Sequence, residues 1–142
     1  MATSLAPMLI AASASAFGLL GGIHLLYTFR GNRFDARDPV LNDALKVVSP
    51  VISRETTMWR AAKGFNASHS FGMMSFALIY GDLAGWHASF LLRSAFLLAL
   101  GMIMLLAYLA LARRYWFSSP FRGIVLACAL YAAGLAVAVF SR

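Results

Sequence analysis

The sequence predicts an all-α integral membrane protein: a four-helix bundle with a short amphipathic interfacial helix between spans 1 and 2. Three observations carry this. Of 142 residues, 61% are hydrophobic and only 12% are charged, whereas soluble domains are nearer a quarter charged. A soluble chain this short has too much surface for its volume to hide so much apolar side chain. The apolar residues also fall into four runs, each close to the roughly 20 residues that cross a bilayer. These features exclude a soluble enzyme, a disordered chain and a conventional nucleic-acid-binding domain. The net charge of +7 lies mostly between the apolar runs. Orientation in the membrane and contact with anionic headgroups account for it better than nucleic acid does.

The four spans are expected at about residues 5–29, 58–80, 90–112 and 121–140, within one domain covering residues 1–142. Each run is apolar around most of its circumference, as suits helices facing lipid. Span 1, from Leu5 to Phe29, has no formal charge. Ala14-Ser15-Ala16 resembles a signal cleavage site, but no charged segment precedes it, so span 1 is expected to be a true helix. Pro7, Pro39, Pro50 and Pro120 are each expected at a first helical position, the last three following good N-cap residues, Asp38, Ser49 and Ser119. Proline is tolerated at a first helical position because its missing N–H has no intrahelical partner there. Helix 2 is therefore expected to start near Pro50. Between spans 1 and 2, Val40, Leu41, Ala44, Leu45 and Val48 recur at helical spacing, which predicts the interfacial helix over 39–48.

Arg30, Arg33, Arg37, Lys46, Arg54, Arg60 and Lys63 follow span 1, and Arg113, Arg114 and Arg122 follow span 3. Residues 81–87, between spans 2 and 3, hold no Lys or Arg. The positive-inside rule then places both basic loops in the cytoplasm and both termini on the outer side, with Arg93 and Arg142 the outer basic residues. The lone cysteine, Cys128, lies in an apolar run and reads as a small buried hydrophobe. No intrachain disulfide or cysteine-based metal centre can form.

Polar groups within a bilayer are costly, so each is a functional candidate. On helix 2, Glu55, Trp59, Ala62, Asn66, His69, Ser70 and Met73 follow spacings of three and four and are expected to share one face. Helix 1 carries a matching stripe of Ser13, Phe17, Gly21, His24, Tyr27 and Thr28. Facing each other, the stripes would make a polar pocket in the cytoplasmic half of the bundle. Its ligand-binding candidates are His24, Tyr27, Thr28, Glu55, Trp59, Asn66 and His69, with His69 and Glu55 the candidates for proton transfer. Interhelical packing is the competing account of His24 and His69, and a surface ion pair that of Glu55. Ala14, Gly18 and Gly22 recur every four residues, a pattern that lets helices approach closely, and Ala129, Ala133, Gly134 and Ala138 give span 4 a similar face. Asp82, His87 and Arg93 form a candidate outer cluster. Trp86 outside, and Tyr115, Trp116 and Phe117 inside, suit the membrane interfaces.

Three segments carry a resemblance: Gly22-Ile23-His24-Leu25-Leu26-Tyr27-Thr28-Phe29-Arg30-Gly31-Asn32, Arg54-Glu55-Thr56-Thr57-Met58-Trp59-Arg60 and Gly64-Phe65-Asn66-Ala67-Ser68-His69-Ser70-Phe71-Gly72. Over about its first 80 residues the chain resembles a family of small four-span bacterial inner-membrane proteins without an assigned activity. The resemblance implies a fold and a bacterial cytoplasmic-membrane location, and it implies no reaction.

Three functions fit these residues. The first is a protein that binds or transforms a lipophilic small molecule: a lipid, a sterol-like molecule, an isoprenoid or a quinone. The second is a redox subunit in which His24 and His69 ligate one b-type haem, with Leu20, His24 and Thr28 in the spacing of a short quinone-site pattern. The third is an accessory subunit of a larger membrane complex. Membrane lipids are the expected partners, together with a homo-oligomer or a larger membrane complex; a transporter is not favoured, because four spans without an inverted repeat leave no alternating-access machinery unless the protein oligomerises.

Overall fold

The computed structural model describes residues Ala2–Phe140, with side chains described from Leu5 onward. Arg142, expected on the outer side, lies outside the described residues. All regular structure among those residues is helical: α1 (Ala2–Phe29), α2 (Pro39–Val47), α3 (Met58–Trp86), α4 (Ala88–Arg93), α5 (Ala95–Tyr115) and α6 (Ser118–Phe140). Three helices are long and apolar enough to cross a membrane, at Leu5–Phe29, Ala95–Tyr115 and Ser118–Phe140. Less than a third of the most apolar stretch of each is buried within the chain. Apolar side chains left outward on this scale call for an apolar solvent. The fourth long helix, α3, has 29 residues and is more polar, with Arg60, Lys63, Asn66, His69 and Asp82 along it.

The chain forms two compact units: Met1–Leu20 with Met73–Arg142, and Gly21–Gly72. The core of the first is aromatic. Phe17 of α1 meets Phe76 of α3 edge to face at 5.3 Å between ring centroids and Tyr108 of α5 at 5.0 Å. Phe76 stacks on Tyr80 at 4.4 Å. A buried phenol needs a hydrogen-bond partner. Tyr80 donates to the Leu97 carbonyl at 2.7 Å and Tyr131 to the Leu98 carbonyl at 3.2 Å, tying α3 and α6 to the start of α5. Ser13 of α1 donates to the Ala127 carbonyl of α6 at 2.7 Å.

Small residues set the helix spacings in this unit. A Cβ on Gly18 would lie 2.5 Å from the Cβ of Ala77. One on Gly101 would collide with the Tyr131 hydroxyl and the Tyr80 ring, and one on Gly134 would press on Ile10. The expected small-residue faces are thus used in part. Ala14, Gly18, Gly134 and Ala138 pack inward, whereas a Cβ on Gly22 would meet nothing within 4 Å and Ala129 and Ala133 are exposed.

Several boundaries differ from the sequence expectation. α3 begins at Met58 and not near Pro50. Pro50 sits in a turn in which Ser53 N–H donates to its carbonyl, and the cap is Thr57, whose Oγ1 accepts from Arg60 N–H at 3.3 Å. The apolar run expected to form span 3 from Phe90 is broken at Ser94, whose Oγ accepts from Leu97 N–H and caps α5. α6 starts at Ser118, so Pro120 is its third residue and not its first, and Pro7 lies inside α1, which starts at Ala2. Asp38 and Pro39 do open α2 as expected, the Asp38 carboxylate accepting from Val40 and Leu41 N–H. The face of α2 bearing Val40 and Val47 is uncovered by the chain, with these residues 80% and 77% exposed. Of the cluster expected from Asp82, His87 and Arg93, His87 Nε2 lies 3.8 Å from Asp82, and Arg93 ends α4 exposed.

Candidate functional site

The unit Gly21–Gly72 holds the C-terminal turns of α1, α2 and the first half of α3. α1 stops because Gly31 follows it with φ of +82°, the left-handed conformation that commonly ends helices and that glycine adopts without penalty. The chain then turns, so that Phe34 and Asp35 come back onto the helices. Phe34 packs on the His24 ring at 4.7 Å between centroids. Asp35 accepts the Trp59 indole N–H at 3.2 Å. Lys63 of α3 donates to the Thr28 carbonyl at 2.9 Å, satisfying an acceptor that the end of α1 leaves open. The same ammonium lies 4.5 Å from the Trp59 ring centroid. Together these contacts hold the end of α1 beside the second turn of α3.

Above this clamp the two histidines meet. The His24 and His69 rings touch edge to face, 5.3 Å between centroids with planes at 65°. The Asn66 side chain makes a polar contact with the His24 imidazole, and its backbone carbonyl accepts from Ser70 Oγ at 3.1 Å. Both imidazoles are half-buried. The Nε2 of His24 is fully shielded and has no hydrogen-bond partner within the protein. A buried polar atom left unsatisfied costs about 1–3 kcal/mol, so an unfilled one is a functional lead.

Of the residues expected to form the site, His24, Asn66 and His69 are brought together. Thr28 is one turn below, its hydroxyl donating back to the His24 carbonyl at 2.8 Å. Tyr27 carries the Arg33 guanidinium 4.2 Å over its ring. Trp59 belongs to the clamp. Glu55 precedes α3 and is exposed, with its N–H donating to Ser53 Oγ at 3.2 Å. It is therefore not on the helical stripe, because the stripe assumed a helix already running at that position. Ser13 and Phe17, the other end of the α1 stripe, are buried in the first unit, Phe17 within its hydrophobic core. Sequence reasoning missed Phe34, Asp35 and Lys63 as site-building residues. The one available signal was Trp59, whose N–H needs an acceptor once half-buried.

The contact between the imidazoles bears on haem ligation. Two axial histidines stand on opposite faces of the macrocycle with iron between them. Here the rings touch each other, and Phe34 and Asn66 take up further sides of His24. No group of three or more His, Cys, Asp or Glu residues is arranged to hold a metal ion among the described residues. The two imidazoles and the Asn66 amide thus form a polar cluster edged by the Phe34 ring. Compared with family models, with curated proteins and with solved structures, the chain finds no match.

Proposed function

We propose that the chain is a four-span protein of the bacterial cytoplasmic membrane that binds a lipophilic small molecule through His24, Asn66 and His69. The ligand class is a molecule with a carbonyl or hydroxyl at one end, as quinones, sterol-like molecules and isoprenoid alcohols have. The observation that carries this is the shielded, unpartnered Nε2 of His24 beside a second imidazole. An imidazole nitrogen either donates to a carbonyl or accepts from a hydroxyl, according to its protonation. In this reading Nε2 meets the polar end, Asn66 orients the His24 ring, and His69 exchanges the proton where the ligand takes one. Glu55 has no part in it.

The fourth span is α3. Between Lys63 and Asp82 lie 18 residues without formal charge, which rise about 27 Å, close to the roughly 30 Å of a hydrocarbon core. Lys63 then sits at one interface, at the level of the end of α1, and Asp82 at the other. The placement of Lys and Arg supports both termini outside.

The test is co-purification. Wild type, H24A and H69A are purified in mild detergent, checked for helicity by circular dichroism, and extracted with organic solvent for mass spectrometry. A lipophilic species enriched in the wild type and depleted at least fivefold in H24A supports the proposal. Identical extracts from folded wild type and H24A overturn it. Absorption spectra of the same samples, oxidised and reduced, report haem directly.

A further inference from the structure

The turn between α5 and α6 presents a second feature, separate from the histidines. A recess of about 220 Å³ is lined by Ala112, Arg113, Trp116, Phe117, Ser118 and Phe121. Three arginines, Arg113, Arg114 and Arg122, lie within ten residues of one another there. Residues 83–142 contain no Asp or Glu at all. The ion pairs among the described residues, Lys46 with Asp43 and His87 with Asp82, involve none of these arginines. Three guanidinium groups at the end of two apolar helices therefore have no counter-charge from their own part of the chain.

The recess also has the right composition for one end of a lipid. Its volume falls below the roughly 300–1,000 Å³ of pockets that enclose a whole small molecule, so it suits a headgroup whose remainder lies outside. Trp116 is partly buried and its ring faces Tyr108 at 6.4 Å, giving the recess a firm aromatic wall. Phe117 of the lining and Leu111, next in sequence to Ala112, are exposed, an apolar surface on which acyl chains can lie. Arginine presents a planar fork of donors that matches two oxygens of one phosphate.

We infer that this recess binds the phosphate headgroup of an anionic phospholipid, with Arg113 making the direct contact and Arg114 and Arg122 supplying the surrounding charge. The inference rests on α5 and α6 crossing the membrane and does not depend on the histidine site. Its role is to fix the α5–α6 turn against the anionic leaflet.

The experiment uses the full chain, delipidated in mild detergent. Phosphatidylglycerol, phosphatidylcholine and inorganic phosphate are titrated separately, and lipid retention is read by native mass spectrometry alongside the melting temperature. Phosphatidylglycerol should be retained at least tenfold more tightly than phosphatidylcholine. R113Q/R122Q should lose most of that preference, R113K should lose part of it, and R93Q should keep it. Equal retention of both lipids, or an unchanged preference in R113Q/R122Q, overturns the site. Inorganic phosphate displacing phosphatidylglycerol at equal concentration overturns the lipid assignment in favour of a free-anion site. The preference for phosphatidylglycerol over phosphatidylcholine should be the same in H24A as in wild type, so this inference and the proposed function fail separately.

Discussion

His24 of α1 and His69 of α3 stand in edge contact, 5.3 Å between ring centroids, although 44 residues separate them in sequence. Their meeting depends on where α3 begins. The clamp of Lys63 on the Thr28 carbonyl and Trp59 on Asp35 sets the register of the two helices, and that register brings the imidazoles into contact.

The clamp makes the first prediction. Asp35→Ala removes the acceptor of a half-buried indole N–H and should cost about 1 kcal/mol. Asp35→Asn keeps an acceptor oxygen and should cost less. Thermal melting of both variants in detergent checks this. Equal stability of Asp35→Ala and wild type would show that the Trp59 contact does not hold the unit.

Glycine positions give a paired test. Gly101→Ala places a methyl group against Tyr131 and Tyr80, and overpacking of this kind costs about 1–3 kcal/mol. Gly22→Ala meets nothing within 4 Å, and in a helix interior alanine is favoured over glycine by up to about 1 kcal/mol. Gly22→Ala should therefore be neutral or stabilising while Gly101→Ala is destabilising, as measured by denaturant titration in detergent. The reverse order would contradict the described packing.

Ser13→Ala deletes the hydrogen bond from α1 to the Ala127 carbonyl of α6. Interhelical hydrogen bonds in membrane proteins average about 0.6 kcal/mol and reach about 1.7. A loss within that range is expected, read by the same titration, and Ser15→Ala serves as control because Ser15 donates only to its own helix at Ala11. A larger effect at Ser15 than at Ser13 would contradict the assignment.

Orientation is tested by reporter fusions. Alkaline phosphatase fused after Phe140 or after Trp86 should be active, and fused after Val48 or Phe117 inactive, because the enzyme matures only on the outer side. Activity at Val48 would reverse the proposed topology.

Much of the fold is legible in the sequence for plain physical reasons. Long uncharged apolar runs become long helices, and Asp38 before Pro39 opens α2 because side-chain capping and a fixed φ act locally. The same local logic misled at Ser49-Pro50. That pair has the residue types of a helix start, but a turn satisfies them equally well, and Thr57 provides the cap. Ser94 was hidden inside an apolar run, where its capping role depends on how α4 meets α5. At the site, His24, Asn66 and His69 were legible as polar residues in apolar helices. Glu55 was misplaced because the helix was started too early. Phe34 and Asp35 sit in an irregular segment without periodicity, so nothing in the sequence announced their return to the helices.

The most direct test of the central claim is nitrogen-15 NMR of histidine-labelled protein in nanodiscs, with His24 assigned by H24A. The probe is the total lipophilic extract of the expression host's membranes, added to delipidated protein. The account predicts that the Nε2 resonance of His24 shifts on addition, that the shift disappears on delipidation, and that His87 in α3–α4 junction does not respond. An Nε2 resonance that is the same in both states would contradict a ligand at this nitrogen and leave the two histidines as packing residues.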